Sequence, residues 1–194
     1  MHDNPGSARE RILATAGQLF YRDGYRAVGV DTIVAESNVA KMTLYRYFPS
    51  KDDLIAAYLE ESNAGFWQWF EQALGAPEEP TQDRLLSLFL ALEALVASPA
   101  CQGCPFLNAA VDFPCAEHPG HRAALAHKQT LRTRLSQLAA EAGAREPLLL
   151  ADQLHLLVDG AMMAARVYGP GNPAAGVAAT AATLIKAQIE PAAL

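Results

Sequence analysis

RDGYRAVGVDTIVAESNVAKMTLYRYFPSK, residues 22–51, holds two short helical segments on a tight turn. Val30–Ser37 carries Ile33 and Val34 as apolar positions, Lys41–Tyr47 carries Leu44, and Asn38-Val39-Ala40 joins them. Two helices of this length on a three-residue turn have helix-turn-helix spacing. Ile33, Val39, Leu44 and Phe48 are predicted to form the small core that fixes the crossing. With Leu44 committed to that core, burial does not account for the other positions of the second segment. Those are Lys41, Met42, Thr43, Tyr45, Arg46 and Tyr47, a set of donors and aromatics.

Outward from this stretch the chain reads as helix throughout, about nine helices in all. Upstream, Ile12, Leu13, Ala16, Leu19 and Phe20 recur on one helical face. Ser7 with Glu10 forms a capping box at its start, and Gly24 is placed to end it. Downstream, Ser50 with Asp53 marks the start of a long helix reaching about Leu74. The run from Gly75 to Pro80 breaks it, and the next helix covers 81–98. Pro105, Pro119, Pro147 and Pro173 each stand where a first helical residue is expected. No stretch alternates with period two for long enough to be a strand. The expected fold is all-α, with a helix-turn-helix domain over residues 1–51 and a larger helical domain over 52–194.

Composition narrows the classes. The chain has 194 residues, 51% of them hydrophobic and 19% charged, with a net charge of −6. That much apolar material at so low a net charge excludes extended disorder. The longest apolar run, 85–97, is interrupted by Glu93 and is too short for a membrane span of ~18–20 residues. No signal peptide is visible at the polar start. Three cysteines do not make a secreted disulfide scaffold, so a reduced, cytoplasmic protein without a membrane partner is expected. The charge is uneven. Residues 1–51 hold seven Lys/Arg against five Asp/Glu, and residues 52–194 hold eight against sixteen. A slightly basic head on an acidic body fits an anionic partner for the head.

Enzyme signatures are missing. There is no G-x-S-x-G, H-E-x-x-H or phosphate-loop motif, and none of the helical Glu-x-x-His pairs of di-iron bundles. No catalytic residue and no cofactor is expected. Cys101-x-x-Cys104 followed by Cys115-x-x-His118-x-x-His121 has metal-like spacing. If residues 105–113 are helical, however, the two ends lie about 15 Å apart. A single zinc, with donors at about 2.0–2.3 Å, then cannot take both, so no metal is expected. The same fold acting as a thiol-redox or metal sensor through Cys101 and Cys104 remains as an alternative, the thiol switch being favoured because Cys104 sits at a helix amino end that stabilises a thiolate. A helical thiol oxidoreductase is a more distant one, since the pair has no βαβ context. Small, partly buried packing residues are the simplest reading.

The donors and aromatics of Lys41–Tyr47 suit a DNA groove. A helix end enters the major groove, and Lys, Arg, Tyr and Thr reach phosphates and base edges. On spacing alone, the pattern also describes the polar face of an ordinary helix pair. The residues themselves go further. Gly24-Tyr25-Arg26-Ala27, Val30-Asp31-Thr32-Ile33 and the run from Val39 through Tyr47-Phe48-Pro49-Ser50-Lys51 to Leu54 resemble the amino-terminal domain of TetR/AcrR transcriptional regulators. The resemblance covers about 50 residues closely. It implies a homodimeric, ligand-responsive repressor that reads a palindromic operator in double-stranded DNA. It also implies that Lys41–Tyr47 is the recognition helix, with Lys41, Met42 and Thr43 at its groove-facing start. Tyr45 then meets a phosphate, Tyr47 lies near the backbone, and Lys51 is a further phosphate ligand. Thr32 lies in the first turn of the preceding helix, where amides also meet phosphate. Arg46 is placed to read a guanine edge. Three residues depart from the family's pattern: Ala40 for a capping hydroxyl, Asn38 for the turn glycine, and Gly29 for a phosphate-touching hydroxyl.

The remainder is expected to sense and to dimerise. Residues 173–185 carry no charge, and Pro147–Tyr168 is similarly apolar with small residues at Gly160, Ala161, Ala164 and Ala165. Helices apolar nearly all round need cover on two sides, which suits a four-helix dimer interface. A small-molecule effector is expected among the middle helices. Phe66, Trp67 and Phe70, beside Trp69, supply an aromatic cluster, with Phe89, Phe106, Phe113, Met162 and Met163 completing a cavity. Arg166 or His155 would orient an anionic ligand. For each of these residues taken singly, an ordinary core position is the better reading.

Overall fold

Where apolar spacing and breakers locate helices, a computed structural model of the chain, describing residues 6–189, has them. In order they are α1 (Ala8–Asp23), α2 (Val30–Ser37), α3 (Lys41–Tyr47), α4 (Lys51–Ala73), α5 (Thr81–Ala97), α6 (Pro105–Asp112), α7 (Pro119–Glu141), α8 (Pro147–Tyr168) and α9 (Val177–Ile189). No strand occurs among the described residues. The last boundary differs from the sequence expectation. Pro173–Gly176 forms a 3-10 turn and the α-helix begins only at Val177. Asn172 dictates this, because its side-chain oxygen accepts from the Ala174 amide and tightens the first turn.

Contacts divide the chain into two compact units. The first comprises the described residues through Ala64 together with Pro105–Leu125. The second comprises Gly65–Cys104 together with the described residues from Ala126 onward. α4 and α7 therefore each contribute residues to both.

In the first unit α1 supplies the largest apolar stripe. Ile12, Ala16, Leu19 and Phe20 are buried along with Ile33, Leu44, Leu54, Ile55 and Leu59. The capping box forms as expected: Ser7 Oγ accepts from the Glu10 amide, and the Glu10 carboxylate accepts from the Ser7 amide at 2.8 Å. Ser50 Oγ likewise accepts from the Asp53 amide at 3.1 Å, but its hydroxyl donates to the Asp53 carboxylate, so that cap is one-sided. Gly17 is required on α1, since a Cβ there would lie 2.9 Å from the Tyr58 ring.

The second unit is a bundle in which α5, α8 and α9 pack on one another. Leu85, Leu88, Phe89 and Leu92 from α5 are buried with Leu150, Leu154, Val158 and Ala161 from α8 and Ala181 and Ile185 from α9. Buried Asn172 ties the α8–α9 connection down: its amide donates to the carbonyls of Val96 at 2.8 Å and Gly169 at 3.1 Å. Glu93 of α5 accepts from the Ala178 amide in the first turn of α9, where helix N–H groups lack internal partners. α8 corrects the length argument made from uninterrupted apolar runs, being long and apolar enough to cross a membrane by length and composition. Its charges are used within the bundle, where Asp152 pairs with Arg132 and Asp159 with Lys128, both from α7.

Not all of α8 is covered. Leu149, Leu156, Met163 and Val167 are exposed, and their spacing places them on a single stripe of the helix. Beside that stripe runs a shallow groove of about 270 Å³, lined by Leu156, Gly160, Ala164, Pro173, Val177 and Thr180 among others.

Candidate nucleic-acid interface

The turn between α2 and α3 adopts the conformation its residues allow. Asn38 is left-handed at φ 50°, a conformation that Asn tolerates better than most residues. Ala40 offers no side-chain cap to α3; its carbonyl accepts from the amides of Thr43 at 2.8 Å and Leu44 at 3.2 Å. Packing holds the short helix instead. Leu44, Ile33 and Phe48 are buried, while Val39, predicted to join them, is only half-buried. The Arg9 guanidinium of α1 lies over the Phe48 ring at 5.3 Å and secures the far end of α3.

With Leu44 turned inward, the rest of α3 faces out. Lys41, Met42, Tyr45, Arg46 and Tyr47 are exposed and Thr43 is half-exposed. Thr32 is exposed in the first turn of α2, and Lys51 is partly covered at the start of α4. Two of the cations are already oriented. Lys41 Nζ donates to Asp31 at 2.6 Å, which raises the ammonium's pKa. The Arg46 guanidinium lies 5.0 Å from the Tyr47 ring centre and reaches its hydroxyl at 3.5 Å. Partial burial pushes the Lys51 ammonium down, opposed by the nearby charges of Asp52 and Asp112.

Sequence reasoning missed Asp31 and Asp112. Asp31 was findable, since it lies across a tight turn from Lys41. Asp112 carried no local signal. Its carboxylate accepts from the Tyr25 amide at 2.8 Å and the Arg26 amide at 3.3 Å, joining the end of α6 to the α1–α2 connection. The Tyr25 hydroxyl donates to the Pro105 carbonyl at 2.9 Å, so α6 is held at both ends.

The residues expected to line an effector cavity are not gathered in one unit. Phe66, Trp67 and Phe70 form one ring cluster in the second unit, where the Phe66 ring meets His127 edge-on at 4.6 Å. Burial drives His127 down to about 3, with the Lys128 charge adding to the effect. Phe89 and Met162 are buried in the same unit, Met163 faces outward, and Arg166 donates to Gln102 at 3.1 Å. Phe106 and Phe113 belong instead to the first unit, where Phe113 stacks on His118 at 3.8 Å and lies 5.7 Å from Tyr25. Burial also lowers His155, opposed by Asp159.

Cys101 and Cys104 are buried and Cys115 is exposed. Gly103 between the first two has φ +84°, and a Cβ there would lie 3.0 Å from Arg166 Cβ and 3.2 Å from the Met162 carbonyl. Close packing of this loop on α8 thus requires the glycine between the pair. His121 is bonded to the Phe113 carbonyl at 2.9 Å. Among the described residues no group of three or more His, Cys, Asp or Glu is placed to hold a metal ion.

A three-helix head with a short, polar, outward-facing third helix, joined to a helical bundle, defines a helix-turn-helix transcriptional regulator. Residues 12–58 match the model of bacterial regulatory proteins of the tetR family, and residues 81–181 match the tetracyclin repressor-like C-terminal domain. The chain belongs to the TetR family. Among solved structures it is similar to SCO4454, a TetR-family transcriptional regulator from Streptomyces coelicolor, at 34% identity and TM-score 0.89, covering 94% of this chain and 96% of that one. A TetR-type regulator of Streptomyces avermitilis is also 34% identical, with TM-score 0.82 over 94% and 98% of the two chains. Among curated relatives, the HTH-type transcriptional repressor NemR of Escherichia coli is 32% identical over 81 residues, 42% of this chain and 41% of NemR. The uncharacterized regulator YxaF of Bacillus subtilis is 45% identical over 51 residues, 26% and 27% of the two. The chain thus spans well under half the length of these two curated relatives.

Proposed function

We propose that the protein is a homodimeric repressor that binds a palindromic operator in double-stranded DNA and is released by a small-molecule effector in the cytoplasm. The observation that carries this reading is α3, with Leu44 buried beneath and every charged or phenolic side chain outside. Tyr45, Tyr47, Lys51 and the first turn of α2 at Thr32 engage phosphates. Lys41, Met42, Thr43 and Arg46 face base edges. Dimerisation through the exposed stripe of α8 and the adjoining groove at α9 is supported by the apolar character of both, since large exposed apolar patches mark interaction sites. A twofold interface of this kind pairs the two heads for inverted half-sites.

The effector is assigned to the second unit, beside Phe66, Trp67 and Phe70, with Phe89 and Met162 of the same unit as further apolar lining and Arg166 as a cation for an anionic ligand. A thiol switch is the weaker reading, because Cys101 and Cys104 are both buried. The test is selection of bound duplexes from a random-sequence DNA library by the full-length protein. An enriched inverted repeat, bound by two chains in sedimentation, is expected. Recovery of no common sequence, or binding by a single chain, overturns the reading.

A further inference from the structure

We propose that Met42 reads the 5-methyl group of a thymine in each half-site, an inference that rests on the DNA-binding reading above. Met42 is 86% exposed, more than any other exposed large hydrophobic residue of the described chain. It stands two residues before fully buried Leu44, about 200° around the helix, and so projects directly away from the core. Two of its polar neighbours rest against other groups in the free protein. Lys41 is drawn to Asp31 at 2.6 Å and Arg46 lies along the Tyr47 ring at 5.0 Å. The foremost probe of the recognition helix is therefore an apolar thioether with no proton to donate.

A side chain of that kind gains nothing from a phosphate and little from the donors and acceptors of base edges. On the major-groove edge the apolar group is the thymine methyl, and cytosine lacks it. Methionine is unbranched and flexible, so it can close on a methyl without a fixed rotamer. Burying one methyl contributes about 0.8 kcal/mol, a factor of about four in affinity. Two symmetric half-sites then give about fifteenfold.

The experiment uses the duplex enriched in the library selection, resynthesised with uracil in place of thymine at one position of each half-site in turn. At one thymine position the wild-type protein should bind the doubly substituted duplex about fifteenfold more weakly. Met42→Ala should bind the thymine and uracil duplexes equally, with an unchanged melting temperature because the side chain is exposed. Uracil tolerated at every position by the wild type overturns the assignment while leaving DNA binding intact. So does full uracil sensitivity in Met42→Ala. Failure to enrich any sequence removes the DNA-binding reading itself, and the assignment falls with it.

Discussion

Acidification should destabilise the second unit through His127. The imidazole is buried against the Phe66 ring, and its pKa falls from the ordinary 6.5 to about 3. The unfolded chain therefore binds a proton below pH 6.5 that the folded chain refuses until near pH 3. Stability is full above 6.5 and is lost as pH drops through that window. At pH 5 the deficit is one and a half pH units at 1.36 kcal/mol each, about 2 kcal/mol. His155 is depressed too and adds in the same direction. Replacing His127 by Leu removes the titrating group and keeps an apolar side chain against the ring cluster. Urea unfolding at pH 7 and pH 5, at one protein concentration so that association cancels, should show the wild type losing about 2 kcal/mol more than His127→Leu. Parallel losses in the two proteins would refute the argument, because a proton-linked cost cannot outlast the group that carries it.

Three further outcomes concern the head and the bundle. Lys51→Ala should weaken binding on every duplex and reduce the salt dependence by about one unit of slope, as measured by titrations across a salt series. Arg46→Ala should instead flatten the preference among duplexes in a competition assay, with a loss of about 1–3 kcal/mol confined to the selected sequence. Asn172→Ala removes two donations to backbone carbonyls and the cap on Ala174. It should cost about 2–3 kcal/mol in denaturant unfolding by leaving the Val96 carbonyl unpaired.

What the sequence disclosed, and what it did not, follows from the range of the interactions concerned. Ser7 with Glu10, Pro105, Pro119 and Pro147 act within one turn of helix, and the boundaries they predict coincide with those of α1, α6, α7 and α8. The outward face of α3 was legible for the same reason, since one buried leucine in a seven-residue helix fixes the direction of every other side chain. Phe113 behaves otherwise. Its composition and place in the chain suited a middle-helix cavity, yet it is held beside Tyr25, 88 positions earlier, by an aromatic contact. No periodicity encodes such a pairing, and the carboxylate of Asp112 that accompanies it looks like any solvated helix-end acid until Tyr25 and Arg26 supply their amides. Both contacts join α6 to the α1–α2 connection, which leads directly into the helix-turn-helix. α6 is in turn preceded without a break by the Cys101–Cys104 loop that packs on α8. Arg166 and Gln102 at one end of this segment and Asp112 at the other are thus linked by ten residues of continuous chain, eight of them helical.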